Sequence, residues 1–256
     1  MKTGICQLCL QEKLLCKKSH IIPAFMYQNL LDKDEYMLTV EFEGNNQKVS
    51  KQRSGEYESD ILCKNCEGLI SIYENYGAKV LYGGSLGKKE PRITTTLYKE
   101  PSGVEYTQCN GVNYTKLKLF LLSILWKASI SNRDYFENVD LTEHQEIIRI
   151  MILNNNPGKS NDYPILIFSF LKASTISEQI IIHPYVNISR EGITFYNFQI
   201  AGFMYLFYIN NTTVSHPEDI LACTISEDNR LKIIHSKRDL GDEMIRKKYG
   251  LANKQL

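Results

Sequence analysis

Two pairs of cysteines stand at the spacing that lets both sulfurs of a pair face one ion: Cys6-Gln7-Leu8-Cys9 and Cys63-Lys64-Asn65-Cys66. A Cys-x2-Cys knuckle turns tightly and points backbone N–H groups at its sulfurs. Two knuckles supply the four thiolates of a tetrahedral Zn2+ site, with Zn–S distances of about 2.3 Å. The stretch between them is long for a zinc ribbon and leaves room for an inserted hairpin. The alternative is reduced, free cysteines, or knuckles that each join something else. The remaining cysteines, Cys16, Cys109 and Cys223, read as buried thiols. Between the knuckles lies Ser19-His20-Ile21-Ile22-Pro23, and His20 is the one histidine placed beside them.

The chain that carries these residues has 256 of them, enough for one large domain or two small ones. It is 43% hydrophobic and 23% charged, which excludes a disordered, collagen-like or coiled-coil chain. Thirty basic residues against 29 acidic ones leave a formal charge of +1, so no global field draws the chain onto nucleic acid. Contacts to phosphate must come from a local patch. The Met-Lys-Thr-Gly start has no apolar leader, and the odd cysteine count does not suit a disulfide framework. A reducing, cytoplasmic setting is the expectation, with no membrane span, since the longest apolar runs fall short of the roughly 20 residues required.

The elements that must position the knuckles follow from periodicity. Ala24–Leu31 reads as a short helix after Pro23, Tyr36–Glu43 and Gln47–Arg53 as a polar hairpin, and Glu67–Leu81 as a helix with an apolar stripe. A glycine-rich connector near residues 82–91 separates a 1–85 module from an 86–256 α+β segment. In the latter, Tyr114–Ser131 is a strongly apolar helix, and Asp140 and Glu143 precede a second one, Glu143–Asn154. Strands are expected at 94–98, 104–107, 164–171, 176–183, 193–198, 202–210 and 231–235, then a charged helix over about 240–249. The runs at 164–171 and 200–209 are too continuous for edge strands, so a mainly antiparallel sheet packed on the two helices should form the larger core.

In this order, Cys6-Gln-Leu-Cys9, Ser19-His20-Ile21-Ile22-Pro23 and Ile61-Leu62-Cys63-Lys64-Asn65-Cys66-Glu67 resemble the HNH family of ββα-metal endonucleases. The resemblance covers residues 5–76. It implies a zinc-stapled β-hairpin and helix that clasp a second, divalent metal, Mg2+ or Mn2+. It also implies that His20 is the general base polarising water for attack on a phosphodiester. An ordinary imidazole pKa of about 6.5 suits that task.

Three positions depart from the family pattern. Ser19 stands where an acidic residue or histidine is usual, Glu58-Ser59-Asp60 where an asparagine is usual, and Glu67 where His or Asn follows the last cysteine. Carboxylates suit Mg2+ and Mn2+, and Glu74 lies two turns beyond Glu67 on the same helix face. Glu67, Glu74 and Asp60 are therefore the candidate ligands beside His20, ordinary solvated carboxylates and a structural histidine being the alternatives. Lys17, Lys18, Lys48, Lys51 and Arg53 are the candidate nucleic-acid contacts, diluted by Glu41, Glu43, Glu56 and Glu58 nearby.

The leading expectation is thus a metal-dependent HNH-type endonuclease, a hydrolase of nucleic-acid phosphodiesters acting on DNA. The resemblance suggests a setting in bacterial anti-phage defence. The 86–256 segment would recognise a protein partner or build a homodimer. The alternative is an inactive zinc module that docks nucleic acid or protein, and a third reading places the function in 86–256. No P-loop, dinucleotide-binding glycine pattern or nucleophile elbow is present, and His144, His183, His216 and His235 stand apart from one another.

Overall fold

The computed structural model describes residues 2–43, 46–84, 86, 90–173, 180–210 and 214–236, with side chains omitted at 40–43 and 46–48. Strands β1 (Thr3–Ile5) and β2 (Glu12–Leu14) pair antiparallel, and the first knuckle is the turn between them. There the Leu10 N–H donates to the Cys6 carbonyl (2.8 Å), and Leu10 takes a left-handed φ of 56° to close the knuckle. β3 (Ser19–His20) pairs with β6 (Tyr57–Glu58), placing His20 opposite Tyr57. Inserted between them is the hairpin β4 (Met37–Glu43) and β5 (Asn46–Gln52), as its alternating pattern predicts.

Helix α1 (Lys64–Leu81) starts earlier than the apolar stripe predicts. Cys63 is extended (φ −81°, ψ 162°) and its carbonyl accepts from the Glu67 N–H at 3.0 Å, so the second knuckle is itself the first helical turn. The Ala24–Leu30 stretch forms 3-10 rather than α-helical turns.

A seven-stranded sheet dominates the rest, and the chain is a mixed α+β fold. Its order is β10 (Ile181–Ile188), β11 (Thr194–Ile200), β12 (Phe203–Tyr208), β9 (Ile165–Ser169), β13 (Arg230–His235), β8 (Glu105–Asn110), β7 (Thr94–Lys99). Only β9 and β13 run parallel; every other neighbouring pair is antiparallel. The continuous apolar strands β9 and β12 are interior, as expected, because both of their faces are covered. On β12, Phe203, Tyr205 and Phe207 face the main core, while Met204, Leu206 and Tyr208 fill a smaller cluster behind the sheet. β10 lies later than the expected 176–183, a range whose residues 176–179 fall outside the described residues, as does the 240–249 helix.

Helix α2 (Tyr114–Ser129) is the axis of the molecule. The Asn113 side chain caps it by accepting from the Lys116 N–H (3.0 Å), and every residue from Leu117 to Ala128 is buried. A helix apolar all round must be enclosed, and α2 lies against α1 and α3 (His144–Leu153). α1 approaches so closely at Gly77 that an added Cβ would stand 2.3 Å from the Phe120 ring. One continuous core runs from Cys6, Leu8, Ile21 and Cys66 through α2 to Tyr205 and Leu231, crossing the 82–91 connector. Among the described residues no helix is long and apolar enough to cross a membrane.

Candidate metal centre and the His20 face

The two knuckles meet because the backbones that carry them are laced together. Gln7 N–H donates to the Ile61 carbonyl (2.8 Å), Cys16 N–H to the Leu62 carbonyl (2.8 Å), and Asp60 N–H to the Cys16 carbonyl (3.0 Å). The sulfurs of Cys6, Cys9, Cys63 and Cys66 consequently lie within 4.8 Å of one another. Tetrahedral thiolates at 2.3 Å from a shared ion stand about 3.8 Å apart, so the donor set suits a metal such as zinc. The Cys63 N–H donates to the Cys6 sulfur at 3.3 Å, tying the two knuckles together at their sulfurs. Cys66 is pushed up by burial and by its three sulfur neighbours, which means the cluster needs a cation before all four can ionise. Cys109 is buried as expected, whereas Cys16 and Cys223 are only half-buried.

A second face forms where β3, β6, α1 and the end of α2 meet. His20 is half-buried, its ring edge-on to Tyr57 at 6.2 Å between centroids. Burial first, then the charges of Lys18 and Lys127, hold its pKa below the ordinary 6.5, with Glu74 opposing. The imidazole is therefore neutral and able to accept a proton at neutral pH.

Glu67 and Glu74 face this same region from α1, each acting on the other's charge. Their oxygens are not gathered with the His20 ring to metal-binding distance. Among the described residues the four cysteines are the one group of three or more His, Cys, Asp or Glu side chains gathered to metal-binding distance. Lys127 explains why. Its ammonium, only 2% exposed, donates to Glu74 Oε1 at 2.8 Å and to the His20 carbonyl at 2.6 Å. Lys127 does not reach out to solvent, because α2 is enclosed on every side at that position. Mg2+ or Mn2+ liganded by His20, Glu67 and Glu74 does not fit an arrangement whose carboxylate is already ion-paired.

Glu67 is nonetheless unsettled. Burial raises its pKa, and its Oε1 and the neighbouring Ser19 Oγ are buried without a hydrogen bond of good geometry. Asp60 occupies a left-handed turn (φ 59°) and joins no such cluster. Glu58, in the stretch where asparagine was expected, accepts from Ser131 Oγ (2.8 Å) and the Asn132 N–H (2.9 Å) and so closes the loop after α2.

The candidate phosphate contacts divide. Lys18 stands over the Tyr57 ring at 4.4 Å and donates to Ser54 Oγ (2.6 Å), beside His20. Lys51 and Arg53 gather over Tyr36 instead, at 5.7 and 4.4 Å. Lys17 is exposed, and Lys48 lies on β5 opposite Glu41.

Sequence reasoning missed two cations. Arg133 sits 5.1 Å over Tyr57, donates from Nε to the Tyr57 carbonyl (2.7 Å) and pairs with Glu56 (3.4 Å). Arg149, nearly buried on α3, bonds the Leu8 carbonyl inside the first knuckle and holds Glu146. No spacing marks either one. Lys127 did leave a signal: a lysine inside a helix apolar all round has to find a buried partner. The other histidines stand singly: His144 bonds the Tyr163 hydroxyl (2.9 Å), and His235 bonds Thr107 through Nε2 (2.7 Å) while its Nδ1 is buried without a partner.

Comparison with family models, with curated proteins and with solved structures finds no match to this chain.

Proposed function

We propose that the chain acts on nucleic-acid phosphodiesters through an HNH-type module in which β3, β6 and α1 form the ββα unit and Zn2+ on Cys6, Cys9, Cys63 and Cys66 staples it. One observation carries the reading: a neutral, half-buried His20 imidazole at the mouth of the β3–β6 pair, with Lys18 and Arg133 converging on the ring of its neighbour Tyr57. In this scheme His20 takes a proton from the attacking water, and the two cations attract the phosphate. The zinc is structural and takes no part in the chemistry. DNA as the substrate, and anti-phage defence as the setting, rest on the resemblance.

A specific observation favours a second reading, in which the module docks nucleic acid or protein without cutting it. The Lys127–Glu74 ion pair occupies the carboxylate that metal-assisted hydrolysis would use. Plasmid DNA incubated with the zinc-loaded protein, without added divalent ion and with Mg2+ or Mn2+, separates the two readings. Cleavage that His20→Ala abolishes supports the nuclease. Cleavage unchanged in His20→Ala removes His20 from the chemistry. DNA binding with no cleavage under any condition supports docking.

A further inference from the structure

We propose that Lys127 is the built-in cation of the His20 face, standing where the module proposed above would otherwise hold Mg2+ or Mn2+, and that this face excludes a dissociable divalent ion. The assignment deepens the functional reading, but its ion-binding test involves no nucleic acid.

The argument begins with charge. α1 turns Glu67 and Glu74 to one face, and the Glu74 carboxylate, only 22% exposed, is met there by a cation. α2 delivers one from the opposite side. Lys127 is 2% exposed, so its ammonium is committed to the interior, and its protons go to Glu74 Oε1 (2.8 Å) and the His20 carbonyl (2.6 Å). It also lies near enough to act on the charges of both Glu67 and His20. A metal ion at the same place would meet a like charge in a low-dielectric setting, where repulsion is strongest. With Glu74 held by Lys127, the oxygens left to such an ion are those of Glu67 and Ser19, which already interact with each other.

The bond to the His20 carbonyl gives Lys127 a second task. It pins β3 at the residue whose ring faces Tyr57, so Lys127 acts as a positioning residue for the imidazole and does not itself reach the substrate.

The test titrates the zinc-loaded full-length protein with Mn2+ alone and follows the free-ion signal by electron paramagnetic resonance. The wild type is expected to leave that signal at its free-ion amplitude. Lys127→Met frees Glu74 and should remove a full equivalent, and Lys127→Met combined with Glu74→Gln should restore the signal. A wild type that binds an equivalent of Mn2+, lost in Glu67→Gln, overturns the proposal. So does a folded Lys127→Met that binds none. If Lys127→Met does not fold, Glu74→Gln carries the test by NMR of the His20 ring. Deprived of the carboxylate, the ammonium should drive the His20 titration further down and Mn2+ should still not bind. An unchanged titration overturns the proposal. Absence of DNA binding alongside the expected ion results would remove the functional reading and support the cation assignment.

Discussion

At the scale of single residues, the chemistry is governed by which charges have been given partners. Four clustered thiols cannot all ionise unaided, so metal and fold are coupled at Cys6, Cys9, Cys63 and Cys66. Cys63 offers a clean test because it also precedes the first turn of α1, where serine is a favoured capping residue. Cys63→Ser should therefore keep the helix start while losing the ligand. Elemental analysis should show zinc falling well below one equivalent, and full zinc content in a folded variant would contradict the site. His20 makes a second prediction. Its folded pKa is depressed, so below the ordinary 6.5 the unfolded chain takes up the proton more readily than the folded one. The His20 contribution to stability is present in full above about 6.5 and is lost as pH falls through that value towards the folded pKa. NMR titration of the ring should give a midpoint below 6.5, and a midpoint at or above it would contradict the buried, cation-flanked setting.

At the scale of elements, α2 explains most of what surrounds it. Its length follows from apolar spacing and the Asn113 cap, and both are local, which is why the sequence places it within two residues of its observed end. Gly77 on α1 lies against Phe120 with no space for a methyl group. Alanine would favour the isolated helix by about 1 kcal/mol. In the folded protein, overpacking against an enclosed ring should cost about 1–3 kcal/mol. Gly77→Ala is thus expected to lower the denaturation midpoint, and a higher midpoint would show that α1 and α2 are not so close. α2 also buries Lys118, whose ammonium donates to the Tyr114 hydroxyl (2.8 Å) and the Lys159 carbonyl (2.6 Å) and is pushed down to about 7. Because the unfolded chain keeps that proton up to about 10.5, stability should rise with pH from about 7 to 10, by at most about 1.4 kcal/mol per unit. Lys118→Met should flatten that rise in pH-dependent denaturation.

At the scale of the molecule, the knuckles and the sheet share one core, and cations from 86–256 grasp carbonyls of the N-terminal module. Arg149 holds Leu8 within the first knuckle, and Lys127 holds His20. Removing the metal should therefore be felt beyond residue 85. Calorimetry of the zinc-loaded protein should show one cooperative transition, and a strong chelator should lower the whole of it. Two resolved transitions, with only the lower one sensitive to chelation, would mean that the segments unfold separately.

The pieces whose causes lie close together along the chain were legible from the residues alone. These are the two Cys-x2-Cys turns, the inserted hairpin, the apolar helix Tyr114–Ser129 and the interior strands β9 and β12. Each is set by spacing, capping or an unbroken apolar run. Tertiary structure decided everything that depends on charges distant in sequence. It brought Lys127 to Glu74 across 53 residues and Arg133 to Tyr57 across 76. The physical reason is that a buried charge must be compensated, but the group that compensates it is chosen by packing and not by proximity along the chain.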